Sequence, residues 1–126
     1  MVGIVIVSHS ETLARGVVEL AALMAAKAPL AAAGGLEDGT AGTSFERIAA
    51  AIDRVYSPDG VLVLMDMGSA VMTTEMVLET MPDRKIAMAD CPLVEGAVVA
   101  AAASAGGETM EQIQAQLAED AFTHKF

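Results

Sequence analysis

From Val2 to Val7 the chain is a nearly continuous run of apolar, mostly β-branched residues that stops abruptly at Ser8-His9-Ser10. A run of this kind, without polar alternation, suits a strand covered on both faces, as in a parallel sheet between layers of helix. His9 then stands just past the carboxyl end of the strand, where open α/β sheets keep their ligand crevice. The residues that follow favour a helix start. Ser8 and Glu11 have the Ser-x-x-Glu spacing of a capping box, with Ser10 as a competing N-cap. The mouth of such a helix offers unpaired N–H groups and a positive dipole end, so an anion or a phosphoryl group is its natural guest.

The same arrangement returns in mid-chain. Ser57-Pro58-Asp59-Gly60 reads as a turn, Val61 to Met65 as a second buried strand, and Asp66 sits at its end. Met67-Gly68-Ser69 then lead into a helix running through about Met81. If both strands are central and parallel, His9 and Asp66 emerge on one edge of the sheet. Between the two units, a helix to about Ala26 carries Leu13, Val17, Leu20 and Met24 as its expected apolar face, with Arg15 and Glu19 paired off it. A weak strand is expected at Leu30 to Ala33. Gly34 to Ser44 is irregular, and Thr43-x-x-Glu46 makes another capping box, so Thr43 or Ser44 reads as the cap of a helix with Phe45, Ile48, Ile52 and Val55 on its apolar side. The loop has no Gly-Lys-Ser/Thr of a P-loop.

Beyond Pro82-Asp83 a short strand is expected at Lys85 to Ala89, then helices over Leu93 to Ala105 and Glu108 to about Ala121, the last with Met110, Ile113 and Leu117 on one face. Ala97 to Ala103 reads as core or subunit interface. The tail from Thr123 to Phe126 reads as frayed, which makes His124 a poor site candidate. The expected fold is α/β, a three-layer open sheet of about four parallel strands flanked by helices, in one domain over residues 1–126.

Composition narrows the function. Seven basic against seventeen acidic residues give a net charge of −10, which argues against a nucleic-acid surface. Glu19, Lys27, Glu95 and Glu108 interrupt the richest apolar segments, so no membrane insertion is expected, and the N-terminus lacks the basic region of a signal peptide. Cys91 is the only cysteine, which excludes an intramolecular disulfide and a cysteine zinc cluster and suggests a cytoplasmic protein. Beside Pro92, it reads as a small buried residue. No metal is expected, because the carboxylates are scattered and the two histidines lie at opposite ends.

A histidine and an aspartate at adjacent strand ends form the base and orienter of a triad, with Ser8, Ser10 and Ser69 as available nucleophiles. The Gly-x-Ser-x-Gly elbow of α/β-hydrolases is absent. Alternatively His9 is itself the nucleophile, taking a phosphoryl group on one ring nitrogen while Asp66 holds the other N–H. Backbone N–H groups around Gly68 and Ser69 would share the phosphoryl oxygens with the first helix mouth, beside Ser10.

Four blocks together carry a resemblance: Gly3-Ile-Val-Ile-Val-Ser-His-Ser10, the loop ending Gly42-Thr43-Ser44, Val61-Leu-Val-Leu-Met-Asp-Met-Gly-Ser-Ala70, and Pro92-Leu-Val-Glu-Gly96. In this order they resemble the mannose-type IIA family of the bacterial phosphotransferase system, and most closely the phosphoryl-carrying subunits of phosphoenolpyruvate-dependent dihydroxyacetone kinases. The resemblance spans residues 2 to about 105. It implies that His9 accepts phosphate from the phosphocarrier HPr, on Nε2, with Nδ1–H facing Asp66 and the phosphoryl group near Gly68 and Ser69. It further implies a homodimer, no cofactor, ADP held on a DhaL subunit as the next acceptor, and a DhaK subunit holding dihydroxyacetone. A IIB protein of a sugar transporter is the alternative acceptor. A small tetrapyrrole metal chelatase is the alternative from another class; it needs a second histidine in the fold, and only His124 is available. The Gly34 to Ser44 loop is the main departure from the family pattern, and a candidate for shaping partner choice.

Overall fold

In a computed structural model, which describes residues 1–118 and Lys125, the elements alternate as expected. They are β1 (Gly3–Ser8), α1 (Glu11–Met24), β2 (Leu30–Gly34), α2 (Phe45–Val55), β3 (Val61–Met65), α3 (Ser69–Glu79), β4 (Ile86–Ala89), α4 (Leu93–Ala105) and α5 (Met110–Leu117). The four strands pair in parallel in the order β2-β1-β3-β4, so β1 and β3 are the central pair. The extension of the last helix to Ala121, and His124 in the tail, lie outside the described residues.

Because side chains alternate along a strand, the two apolar runs serve two cores. Ile4 and Ile6 of β1 join Leu62 and Leu64 of β3 in a cluster with α1, α4 and α5. Val5, Val7, Val61 and Val63 face the opposite way, into α2 and α3. Runs without alternation are thus required: every position faces a helix layer. Ala97, Ala100, Ala101 and Ala103 of α4 are all buried in the first cluster, which settles that stretch as core. Met110, Ile113 and Leu117 of α5 close the same cluster.

The apolar face of α1 differs from expectation. Val17 is buried, but Leu13 (44% exposed), Leu20 (40%) and Met24 (67%) face out, and the inward positions are Ala14, Val17 and Ala21. Close packing is the reason. α1 lies against β2 and α4, and a Cβ placed on Gly34 of β2 would come within 2.8 Å of the Ala14 Cβ, so only small side chains fit between. Arg15 likewise pairs with Glu11, one turn earlier, at 2.7 Å, not with Glu19.

Two boundaries also move. Ser10, not Ser8, caps α1, and its hydroxyl oxygen accepts the Leu13 N–H at 3.1 Å. Ser44 caps α2, accepting the Arg47 N–H at 3.2 Å, which releases Thr43 from that duty. Cys91 is only half buried; burial and then the neighbouring Asp90 charge push its thiol up to about 11, so it stays protonated and unreactive near neutral pH. No described helix is long and apolar enough to cross a membrane.

Candidate functional site

Parallel pairing of β1 with β3, in register from Gly3 with Val61 to Val7 with Met65, brings the two strand ends side by side. The Asp66 N–H bonds to the Val7 carbonyl at 3.1 Å and extends the pairing by one step. His9 and Asp66, 57 residues apart in sequence, therefore leave the sheet as neighbours.

The Asp66 carboxylate is the hub. Oδ2 accepts the His9 backbone N–H at 2.9 Å and the Ser8 hydroxyl at 3.0 Å. Oδ1 accepts the Met67 N–H at 2.7 Å and faces Nδ1 of His9 at 3.0 Å. Ser8 is fully buried, and its oxygen in turn accepts the Ser10 N–H at 3.0 Å, tying the turn after β1 to the same carboxylate. Burial pushes the Asp66 carboxyl up, but the hydrogen bonds from the His9 and Met67 amides, the Ser8 hydroxyl and the His9 ring outweigh it. The carboxyl titrates below its ordinary value and is ionised near neutral pH.

An ionised carboxylate on Nδ1 places the proton of a neutral imidazole there. The other nitrogen, Nε2, is then an acceptor, and it meets the Ser69 hydroxyl at 2.8 Å on the solvent side. Ser69 begins α3 after Gly68, whose φ of 55° lies in the left-handed region that glycine tolerates. Among the described residues, a Cβ on Gly68 would meet nothing within 4 Å, so none of them closes the approach above this turn. Among the described residues, nothing accepts the backbone N–H groups of Gly68 and Ser69. The α3 mouth can therefore receive anionic oxygens beside Nε2. Ser10 lies exposed at the α1 mouth next to His9, its oxygen already engaged as the cap.

One participant was missed in the sequence. Thr43, whose spacing to Glu46 marks it as a cap, places Oγ1 3.2 Å from the Ser69 hydroxyl and 3.0 Å from that of Thr73. The glycine loop brings it there: the Gly42 N–H bonds to the His9 carbonyl at 2.9 Å, and the Gly35 N–H to the Ser8 carbonyl at 3.2 Å. The remaining sequence signal was the pair of adjacent hydroxyls, of which a single cap uses only one. Among the described residues no three His, Cys, Asp or Glu side chains gather as metal ligands.

The chain is similar to known proteins over most of its length. Residues 3–114 match the family model EIIA-man, the PTS system fructose IIA component. The phosphotransferase subunit DhaM of the PTS-dependent dihydroxyacetone kinase from Lactococcus lactis is 44% identical over 91% of this chain and 92% of its own length. The phosphoryl donor subunit DhaM of the Escherichia coli PEP-dependent dihydroxyacetone kinase is 39% identical over 90% of this chain, a match that takes in 25% of that longer protein. Among solved structures, the protein of unknown function EF1359 superimposes with a TM-score of 0.79 at 26% identity, covering 93% of each chain. The chain belongs to the EIIA-man family of PTS system fructose IIA components, as one of its DhaM-like members.

Proposed function

We propose that this domain is the phosphoryl carrier of a phosphoenolpyruvate-dependent dihydroxyacetone kinase, taking phosphate from phospho-HPr on Nε2 of His9 and passing it to ADP on a DhaL-type subunit. One observation carries the reading. The His9 ring is held by carboxylate oxygen on Nδ1 at 3.0 Å, while Nε2 faces solvent against a hydroxyl that can turn away.

In the transfer, the Nε2 lone pair attacks phosphorus as the P–N bond to the HPr histidine breaks. The His9 ring, still protonated on Nδ1, becomes a phosphoimidazolium, and the Asp66 carboxylate offsets its positive charge. Ser69 loses its bond to the nitrogen and donates to a phosphoryl oxygen, beside the unpaired N–H groups of Gly68 and Ser69. Ser10 supports the opposite helix mouth. In the second half, a β-phosphate oxygen of ADP attacks the same phosphorus, the N–P bond breaks, and the ring returns to neutral with its proton still on Nδ1. DhaK then holds the dihydroxyacetone that the new ATP phosphorylates.

Exposed apolar side chains flank the site and support transfer between proteins: Leu13 in the first turn of α1, Met67 beside Asp66, and Met72 in the first turn of α3. The outward stripe of α1, with Leu20, Leu23 and Met24, supports the homodimer that the resemblance implies. A relay with HPr places the protein in the cytoplasm. A sugar-transporter IIB is the alternative acceptor; the DhaM names of the relatives favour DhaL.

The test is a reconstituted relay. Phosphoenolpyruvate, enzyme I, HPr, this protein, DhaL carrying ADP and DhaK should together form dihydroxyacetone phosphate, and His9→Ala should stop it. A phosphorylated protein that DhaL leaves charged and a IIB protein discharges would replace the acceptor while keeping His9 as carrier.

A further inference from the structure

Away from the His9 turn, the open edge of the sheet carries a second feature. β2 is an edge strand, with β1 on one side and, among the described residues, no strand on the other. Its register with β1 and the flanking bonds, Ile4 N–H to the Pro29 carbonyl and Gly35 N–H to the Ser8 carbonyl, assign residues 29, 31, 33 and 35 to the β1 ladder. The backbone groups of Leu30, Ala32 and Gly34 therefore point outward. The Gly34 carbonyl accepts Nη1 of Arg47 at 3.1 Å, while among the described residues nothing bonds to the outward N–H or C=O of Ala32. This edge forms the floor of a slot of about 480 Å³ between α1 and α2.

The walls are cationic in a strongly acidic protein. Among the described residues, Arg15, Arg47 and Arg54, three of the chain's seven basic residues, line the slot against a single carboxylate, Glu11. Glu11 is shared, 2.7 Å from Arg15 and 3.7 Å from Arg47, and Arg54 has no ion pair among the described residues. The charges are strung out. Arg47 and Arg54 stand two turns apart on α2, roughly 10 Å along the axis, which is about three residues of extended chain. That spread follows the strand direction, and the flexible arginine side chains can meet carboxylates at alternate positions of an extended segment, about 7 Å apart on one face, whereas a single phosphate would engage both only with the two side chains converged on it. Val18 of α1 and Leu30 of β2 add apolar lining to the slot. A second copy of this chain paired edge to edge about a two-fold axis would set these arginines against each other.

We infer that the β2 edge between Arg15, Arg47 and Arg54 is a docking site for an extended, carboxylate-rich segment of a partner protein, which adds to the sheet as a fifth strand through the Ala32 backbone. Main-chain bonds supply the affinity and the arginines supply the preference for acid. Docking at this edge does not depend on phosphorylation of His9.

The test is a titration of isotope-labelled protein with the capped peptide Thr-Glu-Thr-Glu-Thr-Glu, read by amide shifts and hydrogen exchange. Expected are shifts centred on residues 30–34, slowed exchange of the Ala32 amide, and a loss of affinity of at least about tenfold for Arg54→Glu and for the Thr-Gln-Thr-Gln-Thr-Gln peptide. No binding, binding unaffected by Arg54→Glu, or shifts without Ala32 protection would each overturn it. So would tighter binding of inorganic phosphate in the slot, or protection of Ala32 by self-association without peptide.

Discussion

Asp66 grips both the main chain and the ring of His9: Oδ2 accepts the His9 backbone N–H at 2.9 Å, and Oδ1 faces Nδ1 at 3.0 Å. One carboxylate thereby fixes where the histidine sits, which way the ring turns and which nitrogen carries the proton. Asp66→Asn keeps the shape and removes the charge. It should slow phosphorylation by HPr about 10–100-fold, as loss of an orienting partner of a reactive histidine does. Rapid-quench transfer from phospho-HPr measures it, and an unchanged rate would remove Asp66 from the mechanism.

The same carboxylate predicts a pH dependence of stability. Asp66 titrates below its ordinary value of 3.8 in the folded protein, so it binds its proton more weakly folded than unfolded. Its contribution is therefore full above the ordinary value and is lost as pH falls through the lowered one. Chemical denaturation from about pH 6 to about pH 3 should show the wild type losing more stability than Asp66→Asn. Parallel losses would mean that the carboxylate is not held as described.

Ser69 and Thr43 form a chain to Nε2, at 2.8 Å and then 3.2 Å. Ser69→Ala should slow transfer by up to about tenfold, the worth of one hydrogen bond, and Thr43→Val by less. Because Thr43 acts through Ser69, adding Thr43→Val to Ser69→Ala should cost almost nothing more. Fully additive losses in the double variant would separate Thr43 from this chain.

Gly34 marks the closest approach of β2 to α1, where a Cβ would lie 2.6 Å from the Ser10 carbonyl oxygen and 2.8 Å from the Glu11 Cα. Backbone cannot give way cheaply, so Gly34→Ala should destabilise the fold by about 1–3 kcal/mol. Gly16, on the outward side of α1, is the control, because among the described residues a Cβ there would have nothing within 4 Å. Gly16→Ala should stabilise by up to about 1 kcal/mol. Thermal melts of both variants check the pair.

Leu23 is 78% exposed on the outward stripe of α1. If that stripe joins two copies, Leu23→Glu should convert a dimer to a monomer in sedimentation velocity while leaving the thermal transition of the subunit in place. A dimer that survives the substitution would place the interface elsewhere.

The two central strands were legible because a segment buried on both faces has to be apolar throughout, and Val2 to Val7 and Val61 to Met65 are; the order β2-β1-β3-β4 came from the structure. The placement of His9 beside Asp66 followed from parallel pairing alone. The face of α1 was not legible. Hydrophobicity favoured Leu13, Leu20 and Met24 for the core, but the space against Gly34 and α4 admits Ala14, Val17 and Ala21, and size overrides hydrophobicity at so close a contact. Thr43 was hidden for another reason. Local spacing to Glu46 explained it as a cap, whereas its role depends on the Gly42 bond to the His9 carbonyl, a contact between distant segments that no local pattern encodes.

The central claim, that His9 carries the phosphoryl group, is tested most directly by the intact mass of the wild type and His9→Ala after incubation with phosphoenolpyruvate, enzyme I and HPr. The wild type should gain one phosphate that is lost in mild acid, as expected of a phosphohistidine, and His9→Ala should gain none. No gain by the wild type, or an equal gain by His9→Ala, would contradict it.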